Sequence, residues 1–199
     1  MKSKSVARAL ATSVVFSSML ISVAAAPPPT AIASKVGIDN FGRVNAAYYR
    51  GAQPEGRDYA DLAAAGIKAV IDLQEYGQSD EKQLVQTAGM TYLQIPMTTR
   101  VAPTAEQLES FLKFVSDPAN QPVFVHCAGG RHRTGVMTAI YRMTHDGWTS
   151  DQAFKEMKQY KFGADFLHPE FKKFVFAYRG PAAPEGLRPQ TELAAASPN

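Results

Sequence analysis

Short apolar runs alternate with amphipathic segments through the middle of the chain. The β-branched runs at 67–73 (IKAVIDL) and 122–125 (PVFV) predict buried strands, and shorter runs at 47–50 and 90–95 predict two more. The segments between and after them have helical periodicity and carry glycine or proline at their ends. The predicted helices cover residues 58–65, 80–88, 104–115, 135–145, 150–160 and 169–178.

This alternation of strands and helices predicts an α/β fold. We expect a single domain with a central, mostly parallel sheet of four to five strands and helices on both faces. The helix over 104–115 starts with T-A-E-Q, which predicts a capping box. Ligands of such sheets bind beyond the C-terminal ends of the strands, so the residues after 122–125 are the first place to look for a site.

The two ends of the chain differ from this pattern. Residues 1–26 have a basic start, an apolar run and small residues, which predicts a signal peptide cleaved near residue 26 or as late as residue 33. Residues 27–40 are interpreted as a linker, 41–180 as the folded domain and 181–199 as a disordered tail. We therefore expect an exported protein, periplasmic or secreted. After removal of the signal we expect no stable membrane insertion, because no run approaches about 20 apolar residues.

The net charge of +3 comes from the predicted signal peptide. The chain has 21 basic and 18 acidic residues, and three of the basic ones lie in residues 1–26, which hold no acidic residue. The rest of the chain is therefore balanced. A nucleic-acid partner requires a basic surface, so none is expected.

The chain has one cysteine, Cys127, and four scattered histidines. A single cysteine forms no internal disulfide, and in an exported protein it indicates a reactive or intermolecular thiol. Histidines with this spacing do not match a metal-binding motif, and no metal or other cofactor is expected.

The segment 126–135 (HCAGGRHRTG) surrounds that cysteine with glycines and basic side chains. Between a strand and a helix, such a loop turns successive backbone N–H groups toward one point and forms an anion site at the positive end of the helix dipole. The guanidinium of Arg133 can hold two phosphate oxygens at once. The predicted phosphate-binding residues are Ala128, Gly129, Gly130, Arg131, His132 and Arg133.

The same donors favour the thiolate form of Cys127. The pKa of this thiol should fall below its ordinary value, which makes Cys127 a nucleophile toward phosphorus and predicts a cysteinyl-phosphate intermediate. The hydroxyl of Thr134 is placed to stabilise the sulfur as it leaves, and His126 is expected to fix the loop. Cys127 and Arg133 are thus the predicted catalytic residues.

The sequence H-C-x-x-G-x-x-R-T-G in this context resembles the signature of the cysteine-dependent protein tyrosine phosphatases, and of their dual-specificity branch in particular. YYRGAQP, GIKAVIDL, GMTYLQIPM and PTAEQLESFLKF are also similar, so the resemblance covers roughly residues 44–178. It implies the dual-specificity phosphatase fold and a phosphoric monoester hydrolase that acts on phosphorylated proteins.

The chain departs from this family at the general acid, which is usually an Asp on the loop after the third strand. The matching stretch here, IPMTTRVAPTAEQ, has no Asp. Glu106 within it, Asp72 and Glu75 at the end of the strand before, and His132 in the phosphate loop are the candidates, and the sequence does not choose among them.

Two alternative functions stay open. The ending R-H-R-T-G resembles the K-H-R-T-G of atypical plant and fungal phosphatases that act on inositol pyrophosphates, and basic loops also occur in phosphoinositide phosphatases. An inositol polyphosphate, inositol pyrophosphate or phosphoinositide is therefore the alternative substrate. The alternative of another class is a catalytically weak module that binds phosphorylated ligands. The sequence leaves the oligomeric state open.

Overall fold

A five-stranded sheet forms the centre of the molecule. The computed structural model describes residues 36–180. Its strands are β1 (Gly42–Arg43), β2 (Tyr48–Gly51), β3 (Ala69–Gln74), β4 (Thr91–Met97) and β5 (Val123–His126). They lie in the order β1-β2-β5-β3-β4.

The sheet is parallel except at one edge. β5 pairs in parallel with β2 and β3, β4 pairs in parallel with β3, and β1 is antiparallel to β2. The predicted α/β fold with a mostly parallel sheet is thereby confirmed. Since β5 and β3 are central and buried on both faces, they are apolar nearly throughout, which is why these two strands gave the clearest sequence signal.

Helices cover both faces, as predicted. They are α1 (Asp58–Ala64), α2 (Glu81–Thr87), α3 (Ala105–Ser116), α4 (Arg133–His145), α5 (Ser150–Gln159) and α6 (Pro169–Ala177), with 3₁₀ turns at Pro118–Asn120 and Asp165–Leu167. Alternate residues along a strand face opposite sides of the sheet. Val125 packs in a core with α3 to α6, whereas its neighbour Phe124 packs in a second core with α1 and α2.

The structure differs from the sequence prediction at the start of the domain. Residues 36–40 were assigned to the linker, yet Val36 and Ile38 are buried in the second core. The short strand β1 was not predicted, because two residues carry no periodicity. The remainder of the predicted linker, the signal peptide and the tail over 181–199 lie outside the described residues.

Two of the six helices of the described residues begin with a capping box. The predicted capping box is present, with Thr104 and Gln107 as partners, and Thr149 and Gln152 form a second one at α5. α4 begins at Arg133, two residues before the predicted start at 135. Between residues 36 and 180 no helix has the length and apolar character needed to cross a bilayer.

Candidate active site

The loop between β5 and α4 is held from outside through its carbonyl oxygens. Ala128 O accepts from the backbone N–H of Gln53 at 3.3 Å. Gly130 O accepts from Asn40 Nδ2 at 2.8 Å and from Arg50 Nη2 at 2.6 Å. With these carbonyls engaged on the outer side, backbone N–H groups are free to face the inner side, where an anion would lie.

Gly130 is required at its position in this loop. Its φ is +62°, and a Cβ built there would lie 2.4 Å from the carbonyl carbon and oxygen of Gly51. Both the left-handed conformation and the close backbone approach therefore exclude a side chain. The loop is pressed against the end of β2, next to β5 in the sheet.

Cys127 is the first residue of the loop after β5 and is almost fully buried. Burial raises the pKa of this thiol, but the hydroxyl and backbone amide of Thr134, the charge of Arg133 and the backbone amide of Arg131 outweigh it. The pKa of Cys127 is therefore lowered, as the sequence led us to expect. The Thr134 hydroxyl is buried and has no oxygen or nitrogen partner in residues 36–180, so it is free to donate a hydrogen bond to the sulfur of Cys127.

Arg133 connects the phosphate loop to the loop after β4. Its Nη1 donates to Met97 O at 3.2 Å, and its Nε is buried without a protein partner among the described residues. A guanidinium with an unused donor beside a thiolate is suited to bind phosphate oxygens. The structure thus brings Cys127, Arg133 and Thr134 together.

Two supports of the loop were missed from the sequence. Arg50 is completely buried, and its guanidinium lies 4.0 Å above the ring of Tyr160. Asn40 also donates to Tyr160 O at 3.0 Å. The position of Arg50 within the predicted strand at 47–50 was a signal for this role. Arginine is rarely fully buried without a partner, so a buried arginine indicates a group that it binds. No sequence pattern indicated Asn40.

His126 belongs to a buried polar cluster on the opposite face of the sheet from Cys127. Its ring stacks on Phe124, and its Nε2 lies 2.9 Å from Glu81 Oε1, out of line for a hydrogen bond. Asp72 pairs with His126 in the strand register. Neither ring nitrogen of His126 has a hydrogen-bond partner among the described residues, so its role in fixing the loop stays a prediction. Glu81 was missed because it begins a mostly polar helix, where a carboxylate is expected to be exposed.

The same three residues form a possible metal-ligand set. One ligand atom from each of Asp72, Glu81 and His126 lies within 4.8 Å of the others. Protein donors already engage the carboxylates, since Tyr59 and Gln53 donate to Glu81 Oε1 and the backbone amide of Gln74 donates to Asp72 Oδ1. The absence of a metal stays a prediction.

The four acid candidates lie in different environments. Asp72 is fully buried, and its Oδ2 accepts from the hydroxyl of Tyr92 in the second core, on the opposite face from Cys127. It is not placed to protonate a leaving group. Glu106 is exposed in the first turn of α3.

Of the other two candidates, His132 belongs to the phosphate loop and Glu75 follows β3. His132 is engaged, because its Nε2 lies 3.1 Å from Phe162 O and its ring is 3.7 Å from that of His168. Glu75 is exposed directly after β3, the neighbour of β5, and lines a cavity of about 220 Å³ with Met97 and other residues of the loop after β4. Of the four candidates, Glu75 alone is both exposed and at the carboxyl end of a strand next to β5, and its role as the acid stays a prediction.

A family model described as a DSP-PTPase phosphatase fused to NAD+ kinase matches residues 32–173. The dual-specificity protein phosphatase TpbA of Pseudomonas aeruginosa is 28% identical over 149 residues, which cover 75% of this chain and 65% of TpbA. The inositol diphosphatase SIW14 of Saccharomyces cerevisiae is 28% identical over 131 residues, which cover 62% of this chain and 46% of SIW14. The chain thus spans less than two-thirds of the length of either relative.

Solved structures agree with these matches. The catalytic core of the S. cerevisiae PP-IP phosphatase SIW14, in complex with citrate, superposes with a TM-score of 0.64 at 26% identity, covering 72% of this chain and 88% of that one. P. aeruginosa TpbA superposes with a TM-score of 0.61 at 26% identity, covering 71% and 86%. The loop geometry around Cys127, the sheet and the family match over 32–173 agree, and the chain belongs to the DSP-PTPase family of cysteine-dependent phosphatases.

Proposed function

We propose that this protein hydrolyses phosphate monoesters through a cysteinyl-phosphate intermediate and acts as a protein tyrosine or dual-specificity phosphatase. The observation that carries the proposal is the thiol of Cys127, whose pKa is lowered by Thr134, Arg133 and a backbone amide despite its burial. A buried thiol with a structural role needs none of these donors.

The reaction has two steps. The Cys127 thiolate attacks phosphorus, the bond from phosphorus to the leaving oxygen breaks, and that oxygen takes a proton from Glu75. Water then gives a proton to the Glu75 carboxylate and attacks the cysteinyl-phosphate, the S–P bond breaks, and the sulfur leaves as a thiolate that accepts a hydrogen bond from Thr134. The loop amides and Arg133 stabilise the equatorial oxygens in both steps.

An inositol phosphate is the second candidate substrate. The exposed side chain of Arg131 within the phosphate loop favours it, because a second basic group there can contact a second phosphate. The inositol diphosphatases among the relatives also support it.

The test is steady-state hydrolysis of p-nitrophenyl phosphate, a phosphotyrosine peptide and an inositol polyphosphate panel. Wild type is compared with Cys127→Ser, without added metal. We expect turnover that the Cys127→Ser substitution abolishes, with phosphate still bound. Phosphate binding without turnover in the wild type would contradict the proposal and indicate the binding module instead.

We further propose that the protein is exported by a signal peptide in residues 1–26, on the basis of the sequence pattern alone. Expression of the full chain in a bacterial host, followed by N-terminal sequencing of the protein in the periplasmic and medium fractions, tests this. A chain that keeps Met1 and stays in the cytosolic fraction would contradict it.

A further inference from the structure

The exposed large apolar side chains of the described residues are concentrated in three loops. They are Tyr76 (88% exposed), Val101 (62%), Phe166 (80%) and Leu167 (58%), and we call these four residues the apolar rim. Single exposed apolar residues are common on protein surfaces, but a group of them at one edge marks an interaction site. In residues 36–180 no other large apolar side chain is as exposed.

Two of the three loops are attached to the phosphate loop by direct contacts. Arg133 donates to Met97 O, where the loop that carries Val101 begins. His132 contacts Phe162 O, and its ring packs at a tilt against that of His168, so the segment that carries Phe166 and Leu167 adjoins the other side of the phosphate loop. The two loops also meet each other, because His168 Nδ1 lies 3.0 Å from Thr99 O.

The third loop lies on the same edge of the sheet. Tyr76 follows β3, whose last residue, Gln74, pairs with Met97 at the end of β4. Its neighbour Glu75 lines the cavity of about 220 Å³ together with Val101. The apolar rim and this cavity thus lie at the edge of the sheet where β5 leads into the phosphate loop.

Three lysines near the rim are paired with acidic side chains, whereas the exposed Arg131 of the phosphate loop and Arg100 beside Val101 have no ion pair among the described residues. Lys158 and Lys172 both lie 2.7 Å from Asp165, the residue before Phe166. Lys161 is paired with Asp39 at 2.8 Å. A highly charged inositol polyphosphate or an anionic membrane is bound by a cluster of about four to eight free cations, and two unpaired arginines are fewer than that.

We propose that the apolar rim binds apolar side chains flanking the phosphorylated residue of a polypeptide substrate. The proposal rests on the proposed function, since it places the phosphate of that residue against Cys127. Apolar residues beside the phosphorylated residue bury apolar surface against the rim, which contributes binding free energy. Polar residues in the same positions contribute little. The rim is therefore a specificity surface outside the reacting atoms.

Two phosphotyrosine peptides test this surface, one with Leu and Phe on both sides of the phosphotyrosine and one with Ser and Gly. We expect wild-type kcat/KM to favour the apolar peptide by about tenfold, which corresponds to about 1.4 kcal/mol of differential binding. The variant Val101→Ser/Phe166→Ser/Leu167→Ser should lose this preference. Its turnover of p-nitrophenyl phosphate should stay at the wild-type level, which also shows that it is folded.

The matched control substitutes three exposed helix residues elsewhere, Gln86→Ala, Lys113→Ala and Lys155→Ala, and should keep the preference. Equal kcat/KM for the two peptides in the wild type overturns the proposal. Faster turnover of an inositol polyphosphate, or of phosphoinositide in vesicles of phosphatidylcholine, than of either peptide also overturns it.

A binding measurement distinguishes failure of the proposed function from failure of the rim proposal. The Cys127→Ser variant is titrated with both peptides carrying a fluorophore, so that their affinities are compared without turnover. Tighter binding of the apolar peptide supports the rim even if the wild type hydrolyses nothing, and equal affinities overturn it even if p-nitrophenyl phosphate is hydrolysed.

Discussion

Arg50 shows how a single residue supports the site without touching the reacting atoms. Its guanidinium is enclosed beneath the phosphate loop, donates to Gly130 O and lies over Tyr160. Burial lowers its pKa, while the nearby tyrosines and Cys127 favour its charged form. A buried charge costs folding free energy, and here the positive charge of Arg50 also favours the thiolate of Cys127.

At the same scale, Glu75→Gln tests the general acid. We expect kcat for a phosphoserine peptide to fall about 100-fold, because its alkoxide leaving group needs a proton. Hydrolysis of p-nitrophenyl phosphate should change far less, because p-nitrophenolate is stable without one. The measurement is the ratio of the two rates.

Glu106→Gln is the control, since it removes a carboxylate in the same region from an exposed helix position. Its rate ratio should equal that of the wild type. If Glu75→Gln has the same ratio of the two rates as the wild type, another group donates the proton to the leaving oxygen.

At the scale of elements, the site consists of β5, the phosphate loop and α4. Contacts with β2 determine the conformation of this loop. β5 ends at His126, and α4 begins at Arg133, so six residues must turn the chain and present their amides inward. The contact of Gly130 with Gly51 fixes how closely the loop approaches β2. This approach brings the loop carbonyl within reach of Arg50.

Gly130→Ala should therefore destabilise the protein by about 3 kcal/mol or more. The left-handed conformation alone costs about 1–2 kcal/mol for a residue with a Cβ, and a 2.4 Å contact with the Gly51 backbone adds to it. Urea unfolding measures the difference.

Gly129→Ala is the matched control in the same loop. The nearest atom to its Cβ would be Nε of the flexible Arg131 side chain at 3.4 Å, so a small loss of stability is expected. Similar losses for the two variants would show that the contact with β2 does not constrain the loop.

At the scale of the whole molecule, the sheet separates two hydrophobic cores that have different roles. The core with α3 to α6 contains Cys127, and the core with α1 and α2 borders the buried cluster of Asp72, Glu81 and His126. Burial raises the pKa of Asp72, while His126 opposes this shift. The cluster therefore makes the stability of the fold depend on pH.

The sign follows from the raised pKa. The folded protein binds the Asp72 proton at higher pH than the unfolded chain, so this contribution to stability is present below 3.8 and is lost as the pH rises through the folded-state pKa. Asp72→Asn, which removes the charge, should raise the free energy of unfolding at pH 7, and the gain should disappear toward pH 4 and below.

Urea unfolding at pH 7 and pH 4 measures this difference, with the exposed Asp80→Asn as control. Asp80→Asn should show little pH-dependent change. If Asp72→Asn changes stability by the same amount at both pH values, the carboxyl does not titrate as described.

The sequence by itself determined the features that local patterns encode. The buried strands β3 and β5 are nearly uninterrupted apolar runs, the capping box at Thr104 is a four-residue signal, and the phosphate loop from Cys127 to Arg133 is a contiguous motif. In each case neighbours along the chain carry the information, which a single sequence displays directly.

Only the tertiary structure decided which distant residues meet. Asn40, Arg50 and Glu81 come from separate parts of the chain, and their contacts depend on strand order and on which face each side chain occupies. Asp72 was separated from Cys127 for the same reason, since it faces the other side of the sheet. The spacing of residues along one strand determines toward which side of the sheet each side chain points. Which side chains of different strands then meet depends on the strand order and on the loops between the elements.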